Sequence, residues 1–119
     1  MRYVVLVACD SRDWEGADEA TRQTYFDAHR AFERFVDAHG SRVSSAPLCD
    51  ADTATTVHPG DGERAVTDGP FAELTEQIGG YYDVDLPDLD TAIAAAKLLP
   101  RQYTVEIRPT VKIDGYQSG

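Results

Sequence analysis

At 119 residues the chain has the length of one ordinary domain, and its 42% apolar and 27% charged residues are those of a protein that folds around a core. A formal net charge of −10 argues against direct binding to nucleic acid or to anionic membranes, whose phosphates must be met by Lys and Arg. No apolar run approaches the roughly 20 residues of a membrane-spanning helix, and the run ahead of Asp10 is too short for the core of an export signal. The cytoplasm is therefore the expected compartment. Cys9 and Cys49 belong to no Cys-x-x-Cys or Cys/His cluster, so the reading is of two buried thiols rather than a zinc site or redox pair.

Residues 2–9 are apolar on both alternating sets, Tyr3/Val5/Val7 and Val4/Leu6/Ala8, which predicts a strand covered on both faces. A polar connection with Trp14 and Gly16 follows. Over 18–38 the apolar residues Tyr25, Ala28, Phe32, Phe35 and Val36 recur at three-and-four spacing, which predicts an amphipathic helix capped by Asp18 and stopped by Gly40. Residues 41–48 and 53–57 read as extended, separated by the Pro59-Gly60-Asp61-Gly62 turn from a further piece at 64–67. Residues 78–86 form a strand with Tyr82, Val84 and Leu86 on one face. Asp88 caps a helix over 89–99 that turns Leu89, Ile93, Ala96 and either Leu99 or the stem of Lys97 inward and ends at Pro100, and residues 103–111 alternate as a last strand.

This order is a split β-α-β pattern with an inserted hairpin, an α+β ferredoxin-like domain over 1–113 with a tail at 114–119. One sheet with helices on a single side leaves its other face bare, so a homodimer with the two sheets face to face is expected.

The most distinctive stretch is Val66-Thr67-Asp68-Gly69-Pro70-Phe71-Ala72-Glu73, followed by Glu76-Gln77-Ile78-Gly79-Gly80-Tyr81-Tyr82 and, near the C-terminus, Arg108-Pro109. Asp68-Gly69-Pro70 is a rigid turn. Two roles fit Asp68: it bonds the turn's own amides, or the turn aims it into a cleft walled by Phe71, where a desolvated carboxylate acts as general base. His29 borders the buried helical stripe, as a packed side chain or as a catalyst. Arg108 fits either a carboxylate or phenolate ligand or a bridge to Glu76 or Asp83, and one of Tyr81 and Tyr82 packs while the other lines the cavity. His39 is placed to meet terminal carbonyls of its helix, and His58 is a solvated turn residue. The three histidines share no spacing that would hold a metal, and Gly79-Gly80 lacks the helix start and Lys of a phosphate loop.

The Asp-Gly-Pro-Phe run and the Gly-Gly-Tyr-Tyr segment resemble the DGPF family, a branch of the YCII-related proteins, over nearly the whole chain. The resemblance implies the ferredoxin-like fold paired as a dimeric α/β barrel. It also implies a dyad in which His29 works with an Asp. In the family that acid precedes a Pro after the second helix, whereas this chain has Leu98-Leu99-Pro100, which leaves Asp68 as the acidic candidate. The candidate site is thus His29 and Asp68 for proton transfer, with Phe71, Tyr82 and Arg108 binding a small molecule and no cofactor. The alternative is a non-catalytic ligand- or protein-binding module associated with transcriptional regulation through sigma factors, as some relatives imply.

Overall fold

Alternation in the first strand decides the layering, because Tyr3, Val5 and Val7 are buried while Val4, Leu6 and Ala8 are only half-buried. The computed structural model describes residues 1–116, and the end of the expected tail, 117–119, lies outside the described residues. The chain runs β1 (Arg2–Cys9), α1 (Ser11–Glu15), α2 (Glu19–His39), β2 (Ser41–Pro47), β3 (Thr55–Val57), β4 (Val66–Asp68), β5 (Gln77–Asp85), α3 (Leu89–Ala96) and β6 (Thr104–Pro109). Four strands form an antiparallel sheet in the order β2-β5-β1-β6, and β3 with β4 makes a separate hairpin. This is the ferredoxin-like α+β arrangement, with the hairpin inserted in the connection between β2 and β5. The sheet is open and does not close into a barrel within the described chain. Among the described residues no helix is long and apolar enough to cross a membrane.

The inner face of the sheet carries the core. Tyr3, Val5 and Val7 of β1 meet Tyr82 and Val84 of β5, and Phe32 and Val36 of α2 close over them. The Phe32 and Tyr82 rings lie 4.4 Å apart. As expected, Asp18 caps α2 by accepting from the Thr21 amide at 2.8 Å, and Asp88 caps α3 by accepting from Thr91 at 2.8 Å. Gly40 ends α2 in an extended conformation at φ −174°. Its reason for being glycine is space, since a Cβ there would lie 1.9 Å from the Asp85 carbonyl oxygen.

Three expectations need correction. Cys9 and Cys49, read as two buried thiols, are half-buried and exposed respectively. Residues 11–15, read as part of a polar connection, form the short helix α1, capped by Asp10, whose side chain accepts from the Arg12 amide at 3.0 Å. Five residues are too few to show a helical apolar period. In α3 and just after it Leu99 is buried, as one of the two expected choices, but it is joined by Ala92 and Ala95, whereas Leu89 and Ile93 are 49% and 37% exposed. Packing against α2 and β6 selects small side chains that let backbones approach, and a reading by hydrophobicity alone overvalues the larger ones.

The outer face carries no second layer among the described residues. Val4, Leu6 and Ala8 lie in its middle, paired in register with Asp83, Tyr81 and Ile78 on β5 and with Arg108, Glu106 and Thr104 on β6. Replacing Gly40 by Ala should destabilise the chain by about 1–3 kcal/mol, because the new methyl must displace the backbone of the β5 end. A urea midpoint that drops with an unchanged slope would show it, and an unaltered midpoint would refute the close approach.

Candidate functional site

The buried stripe of α2, Tyr25, Phe32 and Val36, fixes which of its polar residues look at the sheet. His29 lies four residues after Tyr25 and three before Phe32, and Glu33 lies one further turn along, so both share that side. Across from them stand Tyr82 of β5 and Tyr103 just ahead of β6. His29 Nδ1 is 2.8 Å from the Tyr82 hydroxyl and Nε2 is 2.9 Å from the Tyr103 hydroxyl. Tyr82 in turn donates to Glu33 Oε2 at 2.9 Å. The other carboxylate oxygen of Glu33 faces the Arg42 guanidinium at 3.2 Å, and Arg42 also holds Asp37.

These contacts have a direction. Tyr82 has one hydroxyl proton and gives it to Glu33, so His29 Nδ1 must carry a proton and donate to the Tyr82 oxygen. Burial lowers the His29 pKa against a smaller opposing pull from Glu33, and the imidazole is neutral near pH 7. Nε2 is therefore an acceptor, and Tyr103 donates to it. The proton order runs from Tyr103 through His29 and Tyr82 to Glu33. Burial raises the Tyr103 pKa to about 12. Tyr82 is pushed higher still, by burial first and then by its bond to Glu33. Both phenols are thus neutral donors at ordinary pH, and the Tyr103 oxygen has lone pairs to offer a ligand.

The four side chains line a pocket of about 320 Å³, with Val7 and Cys9 of β1 and the end of β2 completing it. The Gly79-Gly80 pair of β5 forms part of its wall. A Cβ at Gly79 would lie 2.9 Å from Cys9 Sγ, and one at Gly80 would lie 3.2 Å from the Ala46 carbonyl oxygen. The glycines of the motif thus make room for the thiol and for β2. Burial, together with Asp13, Asp10, Glu76 and Asp50, raises the Cys9 pKa.

The family model for the YCII-related domain matches residues 1–112. The chain belongs to the YCII-related family. It is similar to an uncharacterised protein of Rhizobium meliloti (strain 1021), 38% identical over 116 residues that cover 92% of this chain and 91% of the relative.

Within this YCII-related domain the residues singled out from sequence separate into two groups. His29 and Tyr82 meet in the pocket. Asp68 does not reach them: it sits at the end of β4, paired in register with Thr55 of β3, while both ring nitrogens of His29 are engaged by tyrosines. The turn after it is as tight as its sequence implies, with Gly69 at φ +95° and its amide donating to the Ala54 carbonyl at 2.6 Å. Phe71 is 89% exposed beside that turn. Arg108 points from the outer face of the sheet and pairs with Glu106 rather than with Glu76 or Asp83; Glu76 accepts from Thr104 and Asp83 pairs with Arg2. Glu33 and Tyr103 are the functional residues that sequence reasoning missed. Glu33 was signalled by its four-residue spacing from His29, whereas Tyr103 joins the site only through strand order. Of the remaining histidines, His39 Nδ1 lies 2.8 Å from the Phe35 carbonyl oxygen near the helix end, and His58 Nε2 lies 2.8 Å from the Thr67 hydroxyl.

Because folding lowers the His29 pKa, the unfolded chain binds the extra proton first as pH falls below about 6.5, and stability drops from there down to the folded-state value. His29→Gln should flatten the decline in melting temperature between pH 7 and pH 5. An unchanged slope would mean that the imidazole is not held neutral by the fold.

Proposed function

We propose that the His29 pocket transfers protons to and from a small molecule, with Tyr103 touching the ligand and His29 as the base behind it. The observation that carries the reading is the engagement of both His29 nitrogens in one ordered chain that ends on a carboxylate. A neutral imidazole is the basic form such chemistry needs at pH 7, and 320 Å³ suits a ligand of about one ring. An acidic O–H or C–H of the ligand gives its proton to the Tyr103 oxygen as the Tyr103 proton passes to Nε2. The Nδ1 proton moves to Tyr82 and the Tyr82 proton to Glu33. The ligand leaves the step as an anion and Glu33 as a neutral acid, while Arg42 returns to Asp37 alone. Reversal returns the proton to the same or a neighbouring atom of the ligand, so exchange and isomerisation are the simplest outcomes.

Phenols, aromatic acids and small keto acids are the compounds to screen by thermal shift, followed by proton exchange in D2O read by NMR. The expected result is that a compound stabilising the wild type also exchanges a proton on it, about a hundredfold or more faster than on His29→Gln or Tyr103→Phe. Stabilisation without exchange for every compound would instead assign ligand binding without chemistry and remove the proton-transfer reading.

We also infer that the protein works as a homodimer, in the cytoplasm. The free thiols of Cys9 and Cys49 fit a reducing compartment. The accessible surface is 8551 Å², where a compact monomer of 13.1 kDa exposes about 6,400 Å². The excess is more than the roughly 800 Å² each partner buries in a standard interface. The radius of gyration is likewise large, 16.6 Å against about 13.5 Å for a compact chain of this length. Face-to-face packing would cover Val4, Leu6 and Ala8. Sedimentation velocity should find a dimer that Leu6→Arg converts to a folded monomer; a wild-type monomer at high micromolar concentration would refute the pairing.

A further inference from the structure

A second cleft, of about 790 Å³, opens on the far side of Tyr103 between α1, the ends of β1 and β2, and the segment leading into β5. It shares Cys9, Pro47, Gly79 and Tyr103 with the His29 pocket, so the two spaces adjoin. Its border is acidic. Asp13, Glu15, Asp50 and Asp52 line it, no Lys or Arg does, and its fifth acid, Asp10, is already paired with Arg12. Among the described residues those four carboxylates have no ion-pair partner; the Arg12 guanidinium, bound to Asp10, offsets part of the Asp13 charge, and the border stays net negative. Among the described residues no three of His, Cys, Asp and Glu stand close enough to hold one metal ion. Negative charge spread around a cavity of this size suits an extended organic cation better than a compact ion.

An independent observation comes from Tyr25, which also lines the cleft. The residue is 4% exposed, and its hydroxyl is a buried side-chain group with no hydrogen-bond partner among the described residues. Buried hydroxyls are nearly always bonded, because an unpaired one carries its full desolvation cost. Burial first, then Asp13 and Cys9 at the border of the cleft, raise the Tyr25 pKa, and Arg101 opposes them. Trp14 stands edge-on to the Tyr25 ring at 5.5 Å and already holds one cation, the Arg22 guanidinium, 4.7 Å from its ring.

We propose that this cleft binds a protonated organic amine, whose ammonium meets the Asp13 and Asp50 carboxylates and the Tyr25 hydroxyl while its apolar body lies against Trp14. The inference does not rest on the proton-transfer reading, since no part of it uses His29.

Trp14 is the single tryptophan of the chain, so its fluorescence reports the cleft directly. Titration of the full chain at low salt with phenethylamine should give a saturable change, and 3-phenylpropionate, the matched anion, should give none. The double variant Asp13→Asn/Asp50→Asn and the single variant Tyr25→Phe should each weaken the amine about fivefold. His29→Gln should leave its affinity unchanged, which separates this site from the neighbouring pocket. Melting temperatures certify that each variant is folded, and Tyr25→Phe, relieved of an unpaired hydroxyl, should melt no lower than wild type. The proposal falls if phenethylamine gives no saturable change at millimolar concentration, if the anion binds as well, or if the folded variants bind like wild type. It also falls if Mg2+ or Ca2+ occupies the cleft and the amine does not.

Discussion

Everything at the site depends on how α2 lies on the sheet, and that position is set by one interlock, Phe32 against Tyr82. Phe32 is fully buried, and truncating such a ring in a core typically costs about 3–5 kcal/mol. The contact holds the helix in both rotation and height. With Phe32 seated, the residue three positions earlier and the residue one position later face the two tyrosine hydroxyls, and His29 and Glu33 occupy those places. A polar network of this kind has little freedom, since each member spends its hydrogen-bonding capacity on the next. Tyr82 therefore has two roles. Its ring belongs to the core, and its hydroxyl orders the protons of the pocket.

The parts of this architecture that the sequence displays are those with a local cause. The apolar strand β1, the apolar stripe of α2, the caps Asp18 and Asp88, and the glycine at Gly69 all follow from neighbouring residues. The site itself is only half local. His29 and Glu33 are four residues apart and could be read together, but Tyr82 and Tyr103 reach His29 across 53 and 74 positions of chain. They meet because β5 and β6 flank β1, which no spacing reveals. The same limit explains the prominence of Asp68 in a sequence reading. Asp-Gly-Pro is a vivid local signal, and the structure uses it to shape the hairpin's return into β5, away from the imidazole.

The two faces of the sheet show a division of labour. The inner face is committed to the core and the pocket. The outer face places Val4, Leu6 and Ala8 between flanking charged pairs, Arg2 with Asp83 and Arg108 with Glu106. Apolar centre and polar margin are the usual anatomy of a recognition surface. The hairpin β3–β4 stands outside the main sheet and exposes Val57 and Val66. Membership of the YCII-related family fixes the fold of the chain and leaves its chemistry to these particulars.

The contrast between the two cysteines has a practical side. Cys9 is partly covered, with its sulfur over Gly79 and its thiol held protonated by burial and surrounding acids, whereas Cys49 is exposed at the edge of the acidic cleft. Thiolate, not thiol, attacks an alkylating reagent. A maleimide dye applied briefly near neutral pH would therefore favour one position of the native chain. The protein carries its own attachment point for a probe, beside the cleft and away from the histidine.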